Sequence, residues 1–169
     1  MRAPLRLLKL SAAVLHKVRP ACAADAGALA AIDASVNVRP WNELQFAAAC
    51  SGASINKQCA IVVEKDGRTD GFVVFAQVLD EASIYSIGVH FAHQRKGLGC
   101  LLLESALLKL KNDGATRCFL EVRQSNAAAR RLYECNGFEL DGIRKGYYPT
   151  ESGREDALLM SLCLQRNMQ

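Results

Sequence analysis

Between Gln58 and His90 the chain alternates short apolar runs with turn-forming residues. QCAIVVEK, GFVVFAQVL and ASIYSIGVH are dense in β-branched and aromatic side chains, which suit a pleated, buried surface. KDGRTD, between the first two, contains Asp-Gly, a pair that tolerates the positive φ angles of a tight hairpin. Three such runs with short connections predict an antiparallel meander. From Leu98 the period changes: Leu101, Leu102, Ala106 and Leu110 share one side of a helix over Leu98 to Lys111, which Asn112 to Gly114 end. RCFLEVR is a further strand. Asn126 to Cys135 is a further helix, with Asn136 and Gly137 at its C-terminal stop. Upstream, VRP begins a short strand, an Ala-rich helix runs from about Ala24 to Asp33, and a second helix runs from Trp41 to Cys50 after Pro40.

A strand, helix, strand, helix, strand order cannot close as a simple meander. The chain must cross over and place at least one parallel pair beside the antiparallel set. The expected fold class is therefore α/β in the α+β sense, a mixed and mostly antiparallel sheet with a parallel crossover pair, flanked by helices.

With 169 residues, half of them hydrophobic and 22% charged, the chain is long enough for one domain with a substantial core. The domain is expected over residues 17–169. Residues 1–16, MRAPLRLLKLSAAVLH, hold three cations and no acid and are read as an N-terminal extension, either disordered or a targeting segment. The net charge of +4 is mild, and no dense basic stripe with interleaved aromatics occurs, so nucleic acid is not an expected partner. No apolar run approaches the roughly 20 residues that cross a bilayer, so no membrane role is expected. Seven cysteines without a C-x-x-C pair suit reduced thiols and a cytoplasmic location. Runs such as TRCFL and MSLCL suggest that most of these thiols are buried and inert. His90 and His93 lie on a strand-to-loop stretch, and no metal is expected.

The loop AHQRKGLGCLLL, residues 92–103, sets two cations and two glycines before a leucine-rich helix. Glycine costs about 1 kcal/mol against alanine inside a helix, so Gly97 and Gly99 need a reason. A strand, a loop and a glycine-opened helix together make a place where unpaired N–H groups meet an anion. Arg95 and Lys96 add charge. The alternative is a plain loop with solvated cations. The spacing is not that of a P-loop, and Leu102 stands where a dinucleotide-binding loop has its third glycine.

QRKGLG resembles the acyl-CoA pyrophosphate loop of the GCN5-related N-acetyltransferases (GNAT), and LEVRQSNAAARRLYECNGF resembles the second half of that fold's core. Together with RKGYYPTESGREDALLM, the resemblance narrows to the bacterial ribosomal-protein alanine N-acetyltransferases. It covers Val18 to Leu164 in layout and about residues 80 to 160 in wording. It implies that acetyl-CoA is the co-substrate and that the acceptor is a protein N-terminus, that of a small-subunit ribosomal protein. It further implies that Ile87, Gly88 and Val89 line the pantetheine arm, that Arg95, Lys96, Gly97, Leu98, Gly99 and Cys100 cradle the pyrophosphate, and that Asn126 touches the cofactor. Glu121 would be the general base, Tyr133 the general acid, and Tyr147 and Tyr148 would help hold the peptide.

The residues themselves leave other readings open. Alternation in RCFLEVR sets Phe119, Glu121 and Arg123 on one face, so Glu121 could simply be neutralised by Arg123. Tyr133 could be a core tyrosine, Asn126 a helix cap, and Tyr147 and Tyr148 an aromatic strand end. The competing functions are a GNAT enzyme for another protein N-terminus or a small amine, and a non-catalytic CoA-binding module.

Overall fold

The computed structural model describes residues 16–52 and 57–164. The expectation for residues 1–16 falls outside that range except at His16. Seven strands form one sheet among the described residues: β1 (Lys17–Pro20), β2 (Cys59–Lys65), β3 (Arg68–Val78), β4 (Glu81–Val89), β5 (Arg117–Arg123), β6 (Glu139–Thr150) and β7 (Gly153–Cys163). Their order across the sheet is β1-β2-β3-β4-β5-β7-β6. Every neighbouring pair is antiparallel except β4 and β5, which run parallel. The mixed sheet with one crossover pair is the expected class. Asp66 and Gly67 both take positive φ, 52° and 75°, as a two-residue hairpin turn between β2 and β3 requires.

Among the described residues four α-helices cover the two faces: α1 (Ala26–Val36), α2 (Glu43–Ser51), α3 (Leu98–Asn112) and α4 (Ala127–Cys135). β3 is buried on both faces, and its alternation divides the core. Phe72 and Val74 pack with Leu29, Ile32 and Phe46 of α1 and α2. Val73 and Phe75 pack with Leu102, Leu103 and Leu110 of α3 and with Leu120 and Val122 of β5. This explains why the middle runs read as continuously apolar and not as alternating.

Several boundaries differ from the sequence reading. A 3-10 turn over Ala23–Asp25 precedes α1, which continues past Asp33 to Val36. The second helix starts at Glu43 and not at Trp41, because Asn42 and Gln45 form a reciprocal cap. On α3 the fully buried positions are Leu98, Leu102, Leu103, Ala106 and Leu110, with Leu101 only half-buried. The thiols are less enclosed than TRCFL and MSLCL suggested. Cys118 is buried, but Cys163 sits exposed at the end of β7, and Cys22, Cys59 and Cys135 are exposed as well.

Candidate active site

The parallel pair is short. β4 and β5 are in register only at Glu81↔Arg117, Ala82↔Cys118 and Ser83↔Phe119, yet β4 continues to Val89 and β5 to Arg123. The cause lies on the other side of β4. Its pairing with β3 jumps from Val74↔Ser86 to Phe75↔Ile84, which leaves Tyr85 as an extra residue. Such a bulge bends its strand and sharpens the twist, turning the C-terminal half of β4 away from β5. The result is a gap inside the sheet whose two walls carry backbone groups with no strand between them. Ile87, Gly88 and Val89 lie on one wall and Glu121 on the other.

β4 feeds the glycine loop through a 3-10 turn over Phe91–His93. Gln94 Nε2 donates to Val89 O at 3.0 Å, and Lys96 Nζ donates to Ala92 O at 2.9 Å, folding the loop back on its own start. Arg95 has φ 62° and Gly97 φ 87°, so two left-handed residues turn the chain into α3. Gly97 is the N-cap of α3, and no side chain caps that end. The first-turn N–H groups of α3 therefore stand with the arginine and lysine beside them, a fit for an anionic group. Gly99 serves a different end: a Cβ there would meet Leu132 Cδ2 at 3.4 Å, so it lies where α3 packs on α4. Cys100 is part of the same contact, its Sγ 3.3 Å from Glu104 Oε1 and 3.7 Å from Asn136 Nδ2. Asn126 caps α4, its Oδ1 accepting from Ala129 N–H at 3.1 Å, as the cap reading expected.

Glu121 is neutralised, though not by the partner its own strand suggested. Arg123 goes to Glu155 of β7 at 2.7 Å, and Glu121 Oε1 instead meets Arg144 Nη1 of β6 at 3.0 Å. An irregularity in the β6–β7 register, from Arg144↔Ala157 to Tyr148↔Glu155, gathers the nearby side chains. Asp156 fixes the bulged segment by accepting from Lys145 Nζ at 2.7 Å and Gly146 N–H at 2.9 Å. The Arg144 guanidinium lies 4.5 Å over the Tyr147 ring and that of Arg123 lies 4.3 Å over Tyr148. The two tyrosine rings meet edge-on at 5.0 Å. Burial raises the Tyr148 phenol above its usual pKa, and the nearby Glu121 charge raises it further.

Tyr133 is 6% exposed and packs against Phe138 at 5.8 Å between ring centroids. Burial holds its phenol well above the ordinary value of 10, and the field of Tyr148 adds to this. Tyr148 thus lies within electrostatic reach of both Glu121 and Tyr133. The structure brings Ile87–Val89, the loop and Glu121 to one open end of the sheet, with Tyr147 and Tyr148 beside Glu121.

Arg144 and Asp33 were not singled out from the sequence. Asp33 is completely buried and accepts from Trp41 N–H at 2.7 Å and Ser86 Oγ at 3.3 Å, and also from the Asn37 amide. It ties the segment between α1 and α2 to β4 next to the bulge. An acid near the end of an Ala-rich helix gives no such signal, and neither does one arginine among many. Among the described residues no group of three or more His, Cys, Asp or Glu could hold a metal ion, and no helix is long and apolar enough to cross a membrane.

The family model for the acetyltransferase (GNAT) family matches residues 28–138. The [ribosomal protein bS18]-alanine N-acetyltransferase of Escherichia coli K12 is 41% identical over 131 residues, which cover 78% of this chain and 86% of the relative. Its namesake from Haemophilus ducreyi is 34% identical over 145 residues, covering 83% and 94%. A crystal structure of the ribosomal-protein-S18-alanine N-acetyltransferase from Escherichia coli superposes with a TM-score of 0.81 at 36% identity, covering 91% of this chain and 97% of that one.

Proposed function

The chain belongs to the acetyltransferase (GNAT) family, and from that premise we propose that it moves the acetyl group of acetyl-CoA onto the α-amine of an N-terminal alanine, that of the ribosomal protein bS18. The observation that carries this reading is the opened ladder between β4 and β5. Beyond Ser83↔Phe119 it offers an inner edge of free backbone groups to an extended ligand, and it ends at the uncapped start of α3.

Acetyl-CoA supplies an activated thioester acyl group. The chain's own residues do the rest. Ile87 and Val89, whose main-chain groups face away from β3, offer them to the amides of the pantetheine arm with Gly88 between them, as an edge strand would. Arg95 to Cys100 hold the pyrophosphate through helix N–H groups and charge, and Asn126 flanks them. An α-amine has a pKa of about 7.7–8.0, so at pH 7 most of it is protonated and cannot attack. Glu121 takes that proton, directly or through one water. The Arg144 guanidinium holds the carboxylate in place until the incoming ammonium competes for it. Tyr133 returns a proton to the departing thiolate. A free phenol is about 1.5 units weaker as an acid than a free thiol, roughly 2 kcal/mol uphill, and the burial that raises the Tyr133 phenol adds to that cost. Tyr147 and Tyr148 form an aromatic wall for the first residues of the peptide.

The mild charge and reduced thiols favour the cytoplasm, where such an acceptor is made. A panel of N-terminal peptides incubated with acetyl-CoA and read by mass spectrometry tests the function. The Ala-starting peptide copied from bS18 of the same organism gains one acetyl group, whereas the same peptide with a blocked amine does not. Acetylation of polyamines with none of the Ala-starting peptide would overturn the acceptor assignment.

A further inference from the structure

Segment 90–96, which presents the glycine loop, has little apolar anchorage. Phe91 is 69% exposed, and Gln94, Arg95 and Lys96 are exposed as well. Yet this segment holds Arg95 in the left-handed region, which is unfavourable for a residue with a Cβ. Something other than hydrophobic burial must therefore fix it.

Gln94 and Lys96 fold the loop back on its own start, and a polar knot beneath it anchors that start to β3. Asp70, on β3, is 1% exposed. Its main-chain carbonyl accepts from His90 N–H at 2.9 Å. Its carboxylate accepts from Arg68 Nε at 2.7 Å and lies 3.1 Å from His16 Nε2 and 3.5 Å from His93 Nε2. Arg68 Nη2 closes the ring, 3.0 Å from His93 Nε2. A guanidinium only donates, so His93 accepts there. Burial disfavours the charged imidazole of His93, and the Arg68 charge does so too, while Asp70 acts in the opposite sense. Both ends of the 3-10 turn that opens the loop are thereby tied to one buried carboxylate residue, at His90 through the backbone and at His93 through side chains.

We infer that Asp70 is the positioning residue of the pyrophosphate loop, acting through His93 and Arg68 and touching neither the cofactor nor the reacting atoms. This rests on the cofactor role proposed above for residues 95–100. A loop held in its bound shape binds without the entropy of being ordered at that moment, so loss of the knot weakens the cofactor and leaves the chemical step in place.

The test compares wild type with Asp70→Asn and Arg68→Ala. The Arg68 side chain is 63% exposed, so that variant keeps its fold even where a change at the buried Asp70 costs stability. CoA affinity is read by calorimetry, steady-state constants with the Ala-starting peptide, and backbone hydrogen exchange over residues 90–99 in the ligand-free protein. Both variants are expected to exchange faster over that segment and to bind CoA about tenfold more weakly. KM for acetyl-CoA should rise in parallel, with kcat at saturation and the peptide KM little altered. Unchanged exchange, or unchanged CoA affinity in variants that melt as the wild type does, overturns the inference. If wild type itself binds no CoA while the variants still exchange faster, the knot anchors the loop and the cofactor reading is what fails, taking the positioning role with it.

Discussion

Arg144 reaches from the edge strand β6 to Glu121 on β5, its Nη1 3.0 Å from Oε1, while its guanidinium lies 4.5 Å over Tyr147. The proposed base and the proposed peptide wall are thus coupled through a single cation. Both side chains of the ion pair keep solvent contact, 46% for Arg144 and 35% for Glu121, and exposed pairs contribute only about 0–1 kcal/mol to stability. Structure and chemistry can therefore be separated at this position. Glu121→Gln is expected to lower kcat/KM by about 10²–10⁴-fold, the range for loss of a positioned base, with under about 1 kcal/mol lost in urea unfolding. A large stability loss with a rate near that of wild type would make the carboxylate a structural one.

Tyr133 calls for the reverse comparison, because it is buried. Tyr133→Phe keeps the ring against Phe138 and removes only the hydroxyl group. It should lower kcat by about 10²-fold and leave CoA affinity unchanged by calorimetry.

The raised phenol pKa has its own signature. A group titrating above its ordinary value keeps its proton to higher pH, so the acid form persists beyond pH 10. Wild-type kcat at saturating substrates should show no alkaline fall from this group up to pH ~10. A fall centred below that and absent from Tyr133→Phe would mean that the phenol titrates near its ordinary value, and would overturn the raised pKa while keeping the acid role.

The order of elements and the parallel pair were legible because a strand, helix, strand order leaves few ways to close a sheet. The gap between β4 and β5 was not. Its length depends on a bulge at Tyr85, and a bulge leaves no mark in a run such as ASIYSIGVH, where every residue suits a strand. Glu121 could be placed on the correct face of β5 by alternation alone, but its partner could not. Arg123 was nearer in sequence, whereas Arg144 arrives through β6 and an irregular register. The run of α1 to Val36 had the same kind of cause. Asp33 holds Trp41 N–H and Ser86, contacts that only tertiary structure creates.

At the other end of the sheet, Arg19 grips Asp25 with two hydrogen bonds of 2.8 and 2.9 Å, and Cys22 N–H adds a third at 2.8 Å. The Arg19 hydrogen bond is the main cause that lowers the Asp25 carboxyl from 3.8 to about 2. A depressed carboxyl stabilises the fold above its unfolded value and loses that contribution as pH falls through the folded one. The difference corresponds to about 2 kcal/mol. Asp25→Asn should therefore unfold in less urea than wild type at pH 7 by that amount. The gap should narrow from pH 4 downward and be nearly closed at pH 2. A gap constant with pH would mean that the pairing contributes by shape and not by charge.

Gly88 joins the fold to the proposed cofactor wall. It stands opposite Phe72 in the β3–β4 register, and a Cβ at Gly88 would come within 2.7 Å of Phe72 Cε1 and 3.0 Å of Cζ. Phe72 cannot retreat, because it is fully buried and meets Phe46 edge-on at 5.0 Å. In Gly88→Ala the strain must instead pass into β4, moving the wall that Ile87 and Val89 share. The expected cost is about 1–3 kcal/mol in urea unfolding, as for other overpacked core positions, together with a raised KM for acetyl-CoA. Gly99→Ala is the control. Its added Cβ would make only an ordinary contact with Leu132 at 3.4 Å, and alanine suits a helix better than glycine by about 1 kcal/mol, so stability should hold or rise. If Gly88→Ala were as stable as Gly99→Ala, Phe72 would have to be mobile, and the wall would owe its position to something other than this contact.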